Sequence, residues 1–451
     1  MIFTAEQLAK GARGRLCAGG EPGGVCTDTR AIQPGDWFLA IRGERFDAHN
    51  FLDQAIEAGA TGVIAEEVRP GWTAGYIEVA DGLIALQNIG RFVRSHFKGP
   101  VVGITGSAGK TTTRAMVGLA LAELGVVHQT AGNFNNHIGL PLTLLAAPEN
   151  ADAWVLEMGM NHSGEISLLQ EIGRPNIRII TNVGIAHLEG LGSIEAIAKA
   201  KGELFDGAQP GDTCCINMDD PFVSTLPLPP GIEIIRYGSQ PDCDLQLTHA
   251  QVDPVTLHTQ YEVEAGGQRI QGLIPNPGLH MAHNAVAAMA VGLSLGLNPQ
   301  GIADRIAHYE PVGMRLRVEP GPGGIKVIND AYNANPMSVE ANLRMLAAIP
   351  AAPGRRRVAL LGDMLELGPS EIQQHREVAE VATSLGLDLV AFAGPRFTEA
   401  VGTKQTSAPD ADELGRTIQD ALQPGDIVLI KGSRGMAMER LLNHIAPEET
   451  I

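Results

Sequence analysis

Aromatic residues make up only 4% of this 451-residue sequence, so whatever cores it builds must be aliphatic. Cysteine is scarce and unpatterned: Cys17, Cys26, Cys214, Cys215 and Cys243 form an odd set without C-x-x-C spacing. That argues against a disulfide framework or a structural zinc site and fits a reducing, cytoplasmic setting. Positive charge is in short supply as well, since 33 Lys and Arg against 51 Asp and Glu leave a formal net charge of -18. Such a chain repels nucleic acid and anionic membrane surfaces except at a local basic site, so neither is expected as a partner. No apolar run approaches the ~18 residues of a membrane span, and the N-terminus has no basic stretch leading into a long apolar one, so neither insertion nor export is expected. The three-glycine dinucleotide fingerprint and the Asn-Lys-x-Asp guanine signature are missing too, which disfavours nicotinamide, flavin and GTP as ligands.

What is present is organised around residues 101–112, Val-Val-Gly-Ile-Thr-Gly-Ser-Ala-Gly-Lys-Thr-Thr. An apolar run that reads as a buried strand gives way to a glycine-rich turn. The turn enters a helical pattern with Met116, Leu119, Ala120 and Leu124 on one face, stopped by Gly125. Gly106 and Gly109 let the backbone around Ser107 and Ala108 curl and present its N–H groups. Lys110 adds a point charge, and a Thr111 or Thr112 hydroxyl can bind Mg²⁺, all at a helix N-terminus that favours anions. The expected ligand is the phosphate chain of ATP. The strict G-x-x-x-x-G-K-[ST] pattern wants glycine at 104, where this chain has Ile104, with Gly103 one place early.

A chain of this length exceeds one core and points to about three domains of roughly 150 residues each. Short strand and helix patterns over 1–98 read as a small α/β domain, with strands at 37–41 and 62–65 and helices over 51–58 and 83–97. Lys98-Gly99-Pro100 reads as a linker. From 99 to 312 the βα rhythm predicts a central, mostly parallel sheet of P-loop ATPase type, extended antiparallel over 225–275 and followed by an alanine-rich helix over 282–295. From 313 to 451, strands at 327–328, 358–361, 389–392 and 427–430 alternate with helices as in a Rossmann-like layer. The expected fold is therefore three-domain α/β.

Several residues at strand ends can carry chemistry. Glu157 follows the buried run 154–156 and suits a Mg²⁺ ligand or a solvated strand-end carboxylate. His187, after the run 177–180, suits a metal ligand, an orienting imidazole or a packed histidine. Lys199 and Lys201 lie two apart on one helix, so at most one enters a site. Asn135 and Asn136 open a sharply turned polar loop. Asn284 suits a nucleobase edge or a helix start. Arg315 and Arg317, then the stretch 330–336 with Asp330, Tyr332 and Asn333, open the third domain with a cation, a carboxylate and an aromatic for phosphate, ribose and base. Lys431, Ser433 and Arg434, after the last strand, suit capture of a carboxylate.

In these stretches the sequence resembles the Mur ligase family throughout its length. The matching motifs are 105–112, Gly132-Asn133-Phe134-Asn135-Asn136, Glu157 with 161–166 (Asn-His-Ser-Gly-Glu-Ile), Ala186-His187-Leu188-Glu189, Lys199-Ala200-Lys201-Gly202-Glu203, 330–336 (Asp-Ala-Tyr-Asn-Ala-Asn-Pro) and Lys431-Gly432-Ser433-Arg434. The resemblance implies that Thr27, Asp28, Thr29 and Arg30 meet the uridine end of a UDP-linked substrate, Thr29 standing where serine is commoner. It also implies that Lys110 and Thr111 bind ATP and Mg²⁺, that Glu157 and His187 hold metal, and that Lys201 is carried as a metal-binding carbamate. Asn284, Arg315, Asp330 and Tyr332 match nucleotide positions, whereas Met281 stands where related ligases often have asparagine. The implied activity is the addition of D-alanyl-D-alanine to UDP-N-acetylmuramoyl-tripeptide through an acyl phosphate, by a monomer acting on small molecules. The rivals are the family member that adds the third amino acid, whose Asp-Asn-Pro-Arg type signature is missing here, and a folylpolyglutamate-synthetase-like ligase.

Overall fold

The protein is described by a computed structural model covering residues 1–43, 46–184, 191–350 and 354–445. Three sheets, mostly parallel, follow one another along the chain. The first has five strands in the order Arg15–Ala18, Gly75–Glu78, Gly62–Ala65, Trp37–Leu39, Val25–Cys26, and Arg15–Ala18 is antiparallel to its neighbour. Trp37 is fully buried there, and the sheet makes room for its indole with glycine: a Cβ at Gly62 or Gly75 would lie 2.6 or 2.8 Å from the ring. The helix Gly82–His96 begins at Asp81, whose carboxylate accepts from Ile84 N, and it packs against the helices Gly139–Leu145 and Glu165–Gly173. At Gly90 a Cβ would sit 3.2 Å from Pro141, so glycine permits the close approach that seats the first layer on the second. Phe97 stacks on Trp154 at 4.0 Å across the same seam.

The second sheet has nine strands in the order Gln268–Ile274, Thr259–Ala265, Leu245–Val252, Glu233–Gly238, Thr213–Asn217, Ile177–Ile180, Val101–Thr105, Ala153–Glu157, Val127–Gln129. It is parallel from Val127–Gln129 to Leu245–Val252, and its last two pairings are antiparallel. Val101–Thr105, Ala153–Glu157, Ile177–Ile180 and Thr213–Asn217 are buried along their whole lengths, because helices cover both faces. The expected helix over 282–295 runs from Leu279 to Ser294. The helix with Lys201 runs Ile194–Asp206 and is capped by the Ser193 hydroxyl. The third sheet has the order Arg317–Pro320, Lys326–Asp330, Ile427–Lys431, Arg357–Gly362, Leu389–Ala393, Thr406–Ala408, with only Arg317–Pro320 antiparallel. Among the described residues no helix is long and apolar enough to cross a membrane.

Candidate active site

The phosphate-loop sequence folds at the carboxyl end of a central, fully buried strand, where ligands of parallel sheets sit. Gly106 takes φ +153°, and a Cβ there would lie 1.8 Å from Thr181 Oγ1. Gly109 takes φ +79° as the N-cap of the helix Lys110–Leu121. The neighbouring strand end braces the turn: Asn182 Oδ1 accepts from Ala108 N at 2.8 Å, Thr181 Oγ1 donates to Ala108 O at 2.6 Å, and Ser107 Oγ donates to Gly184 O at 2.9 Å. Lys110 Nζ folds back to Gly106 O at 2.8 Å, while Ile104 is buried in the core. The amides of Lys110, Thr111 and Thr112 belong to the first helical turn, which has no intrahelical acceptors for them.

Glu157 lies beside this turn, almost fully buried. Its carboxylate accepts from Thr111 Oγ1 at 3.0 Å and from Asn135 Nδ2 at 2.9 Å, and its own N–H donates to Thr130 Oγ1 at 3.0 Å. Buried cations surround it. Arg114 Nε lies 3.9 Å from Glu157 Oε2, and among the described residues neither Nε nor Nη1 of that guanidinium has a hydrogen-bond partner. Burial pushes the Arg114 and Lys110 cations down; Glu157 opposes this in both, and Arg315 adds to it. Lys201 is buried while Lys199 is exposed, which resolves the pair that spacing left open. Desolvation, reinforced by the nearby charge of Lys110, holds the Lys201 amine well below the ordinary lysine range. Asn284 is not a helix-start residue. It sits in the second turn of Leu279–Ser294, where its Oδ1 accepts from Thr113 Oγ1 at 3.2 Å, and a Cβ at Gly109 would lie 2.9 Å from that oxygen. Asn136 Oδ1 accepts from Gly139 N at 2.8 Å, so its carboxamide is engaged in ordering the start of Gly139–Leu145.

The third sheet brings a second group to the same side. Arg315 lies over the Tyr332 ring at 3.7 Å. Asp330 accepts from Leu316 N at 3.1 Å, from Asn342 Nδ2 at 2.5 Å and from Lys431 Nζ at 2.5 Å. Lys431 is buried and also donates to Asn333 O at 3.0 Å, so the carboxylate it captures in this structure is the chain's own. Ser433 Oγ accepts from Leu365 N at 2.9 Å, whereas Arg434 is exposed and pairs with Glu439. His280, on the helix with Asn284, is pushed down to about 4 by burial, against the pull of Asp330 and with the push of Lys431. A cavity of about 520 Å³ opens between Gly184 and the helix Pro336–Ala348. In the first domain, Thr27, Asp28 and Thr29 are half-buried in the turn after Val25–Cys26. Arg30 grips Asp28 at 2.6 Å and holds its carboxyl down to about 2. His187 lies outside the described residues.

Sequence reading missed Arg114, Thr130 and His280 as members of this site and quoted Asn182 only as a neighbour. The one available signal was a polar residue within two places of a strand end, which describes Thr130 after the half-buried Val127–Gln129 and Asn182 after the buried Ile177–Ile180. Among the described residues no group of three or more His, Cys, Asp or Glu could hold a metal on its own. Thr111 and Glu157 nevertheless form a hard-oxygen pair at a phosphate cradle, which fits Mg²⁺, an ion that takes one or two protein oxygens and completes its shell with phosphates and water.

A glycine-rich turn between a buried strand and a helix, with a buried carboxylate and cations beside it, fits a nucleotide-binding class of protein, and comparison with known proteins supplies the family. The Mur ligase middle domain matches residues 104–292, and the glutamate ligase domain of Mur ligases matches 314–434. The UDP-N-acetylmuramoyl-tripeptide–D-alanyl-D-alanine ligase of Bacillus subtilis is 35% identical, covering 94% of this chain and 93% of its own; the enzyme of the same name from Synechocystis is 36% identical over 94% and 92%. The chain belongs to the Mur ligase family. Among solved structures, MurF from Acinetobacter baumannii superposes with TM-score 0.89 at 29% identity, covering 98% of both chains. MurF ligase from Thermotoga maritima in complex with ADP gives 0.84 at 28%, covering 94% of this chain and 96% of its own.

Proposed function

We propose that the chain is an ATP-dependent amide ligase that joins D-alanyl-D-alanine to UDP-N-acetylmuramoyl-tripeptide. The observation that carries this reading is the pair of desolvated cations, Lys110 and Arg114, set beside the glycine-rich turn with Glu157 the one buried carboxylate near them among the described residues. Such an excess of buried cation is compensated when a polyanion occupies the cradle. The substrates follow from the names of the relatives, which match over nearly the full length of both chains.

In the mechanism, the free carboxylate of the third peptide residue attacks the γ-phosphorus of ATP. The bond to the β-γ bridging oxygen breaks, and ADP and an acyl phosphate form. The neutral amine of D-alanyl-D-alanine then attacks the acyl carbon, inorganic phosphate leaves with its bonding electrons, and the amine loses a proton as the amide forms. Lys110 and the first-turn amides bind and orient the phosphates, and Arg114 offsets charge from behind Glu157. Thr111 and Glu157, with Lys201 as a carbamate and His187, would hold Mg²⁺, which supplies charge neutralisation on the transferring phosphoryl group. Desolvation and the nearby charge of Lys110 disfavour a bare ammonium at Lys201 and leave a neutral amine, the nucleophilic form from which a carbamate is made. Asn284, Arg315, Asp330 and Tyr332 are assigned to the nucleotide. Thr27, Asp28, Thr29 and Arg30 are assigned to the uridine end, and Asn135, Asn136, Asn333, Lys431, Ser433 and Arg434 to the peptide substrates; for Asn136 and Lys431 this requires release of their present partners. Domain boundaries near 98/99 and 312/313, a monomeric state, a cytoplasmic setting and no membrane association complete the reading.

The test is phosphate release by purified protein given ATP, Mg²⁺ and UDP-N-acetylmuramoyl-tripeptide, with D-alanyl-D-alanine supplied or omitted. Release that needs both substrates and yields a pentapeptide by mass is the expected result. Activity only with a single amino acid and a shorter UDP-peptide would overturn the assignment in favour of the preceding step.

A further inference from the structure

Leu316 is a buried leucine in the left-handed backbone region, with φ +53°. A non-glycine residue there is strained and persists only where its surroundings hold it. Both of its peptide groups are held. Its N–H donates to Asp330 Oδ1 at 3.1 Å, within the third sheet. Its carbonyl accepts from Asn276 Nδ2 at 2.8 Å, across to the central domain. Asn276 is 1% exposed, and its Oδ1 has no partner among the described residues, so the amide is spent on this one bond. The residue is itself fixed, because Thr259 Oγ1 donates to Asn276 O at 2.7 Å. It stands three residues before the helix Leu279–Ser294, which carries His280 and Asn284. Next to Leu316 in sequence is Arg315, stacked on Tyr332 and close enough to Lys110 and Arg114 to depress both cations.

We infer that Asn276 is a positioning residue for nucleotide binding: its buried amide holds Leu316 in the left-handed conformation and thereby sets Arg315 beside the phosphate loop. The inference rests on the reading of that loop as a nucleotide site. Nothing in the sequence around Asn276 marks it, because its partner lies 40 residues away and is a backbone carbonyl.

The test is calorimetric titration of the full chain with ATP and Mg²⁺, together with its thermal melt. Losing one buried hydrogen bond that orders a binding group is expected to raise the dissociation constant of Asn276→Ala about tenfold. Adding Leu316→Gly is expected to restore it to within about twofold, since glycine occupies φ +53° without support. A merely structural role for Asn276 would not be rescued at position 316. If Asn276→Ala does not fold, Asn276→Leu keeps the volume, loses the donor together with the unpaired Oδ1, and carries the same pair of measurements. Wild-type affinity in the folded single variant, or a folded double variant that binds no better than the single, overturns the inference. Wild-type protein that binds no ATP would instead overturn the nucleotide-site reading beneath it.

Discussion

At Lys110 and Glu157 the surroundings, not the residue type, set the chemistry. A lysine on a solvated helix start is a screened charge. Lys110 is desolvated, bonded back to Gly106 O, and faces a carboxylate that already accepts from Thr111 and Asn135. Its charge therefore acts on a bound phosphate through a low dielectric, where each preorganised group is worth about 10²–10³ in rate. Lys110→Ala and Glu157→Ala are each expected to lower turnover by at least about 10²-fold. The two differ in stability. Removing Lys110 leaves Gly106 O to water, whereas removing Glu157 leaves Arg114 with no carboxylate near it among the described residues, so Glu157→Ala is expected to melt lower and Lys110→Ala close to wild type. Steady-state rates and melting curves of the two variants check both statements, and near-wild-type turnover in either removes that residue from the site.

At the scale of elements, the turn from Val101–Thr105 into Lys110–Leu121 is fixed by glycine at two places. Gly109→Ala forces a Cβ into the left-handed region, at roughly 1–2 kcal/mol, and places it 2.9 Å from Asn284 Oδ1. The expected outcome is weaker ATP binding together with a lower melting temperature, and binding at wild-type strength would mean that the turn is not the cradle. This turn was legible in the sequence because all its determinants are local: an apolar run, two glycines and Gly-Lys-Thr. The buried central strands Val101–Thr105, Ala153–Glu157 and Ile177–Ile180 were legible for the same reason, whereas Thr213–Asn217 was not read as a strand. Val25–Cys26 and Arg15–Ala18 were not, because two- and four-residue strands that are only partly buried carry no apolar run to read. Spacing alone could not tell Lys201 from Lys199; the family resemblance pointed to Lys201, and it is Lys201 that the helix buries. Arg114 looked like one more polar residue on a helix, and Asn276 like one more turn residue, because what makes each matter is a partner far along the chain.

At the scale of the molecule, the seam between the central helix Leu279–Ser294 and the third sheet contains a proton-sensitive contact. His280 faces Asp330 and Lys431 across it, with His283 nearby, and burial outweighs Asp330 to depress the imidazole from 6.5 to about 4. The folded value lies below the unfolded one. Above about pH 6.5 the imidazole is neutral in both states and its contribution is fully present. As pH falls from 6.5 towards 4 the unfolded chain takes up a proton that the folded chain refuses, so stability declines through that window and levels off below it. His375 acts in the same direction within the third domain, since its Nε2 accepts from Met364 N at 2.9 Å while Nδ1 donates to Glu371 O at 2.6 Å, a pattern that only the neutral ring can keep. Urea midpoints measured at pH 7.5 and pH 5 are therefore expected to drop for the wild type, and to drop less for His280→Gln and for His375→Gln. Because ligand binding to the folded state adds stability by mass action, about 2.7 kcal/mol at a hundredfold excess over the dissociation constant, the measurement is made without nucleotide. An undiminished drop in both variants would place the acid sensitivity of the molecule elsewhere than at these two histidines.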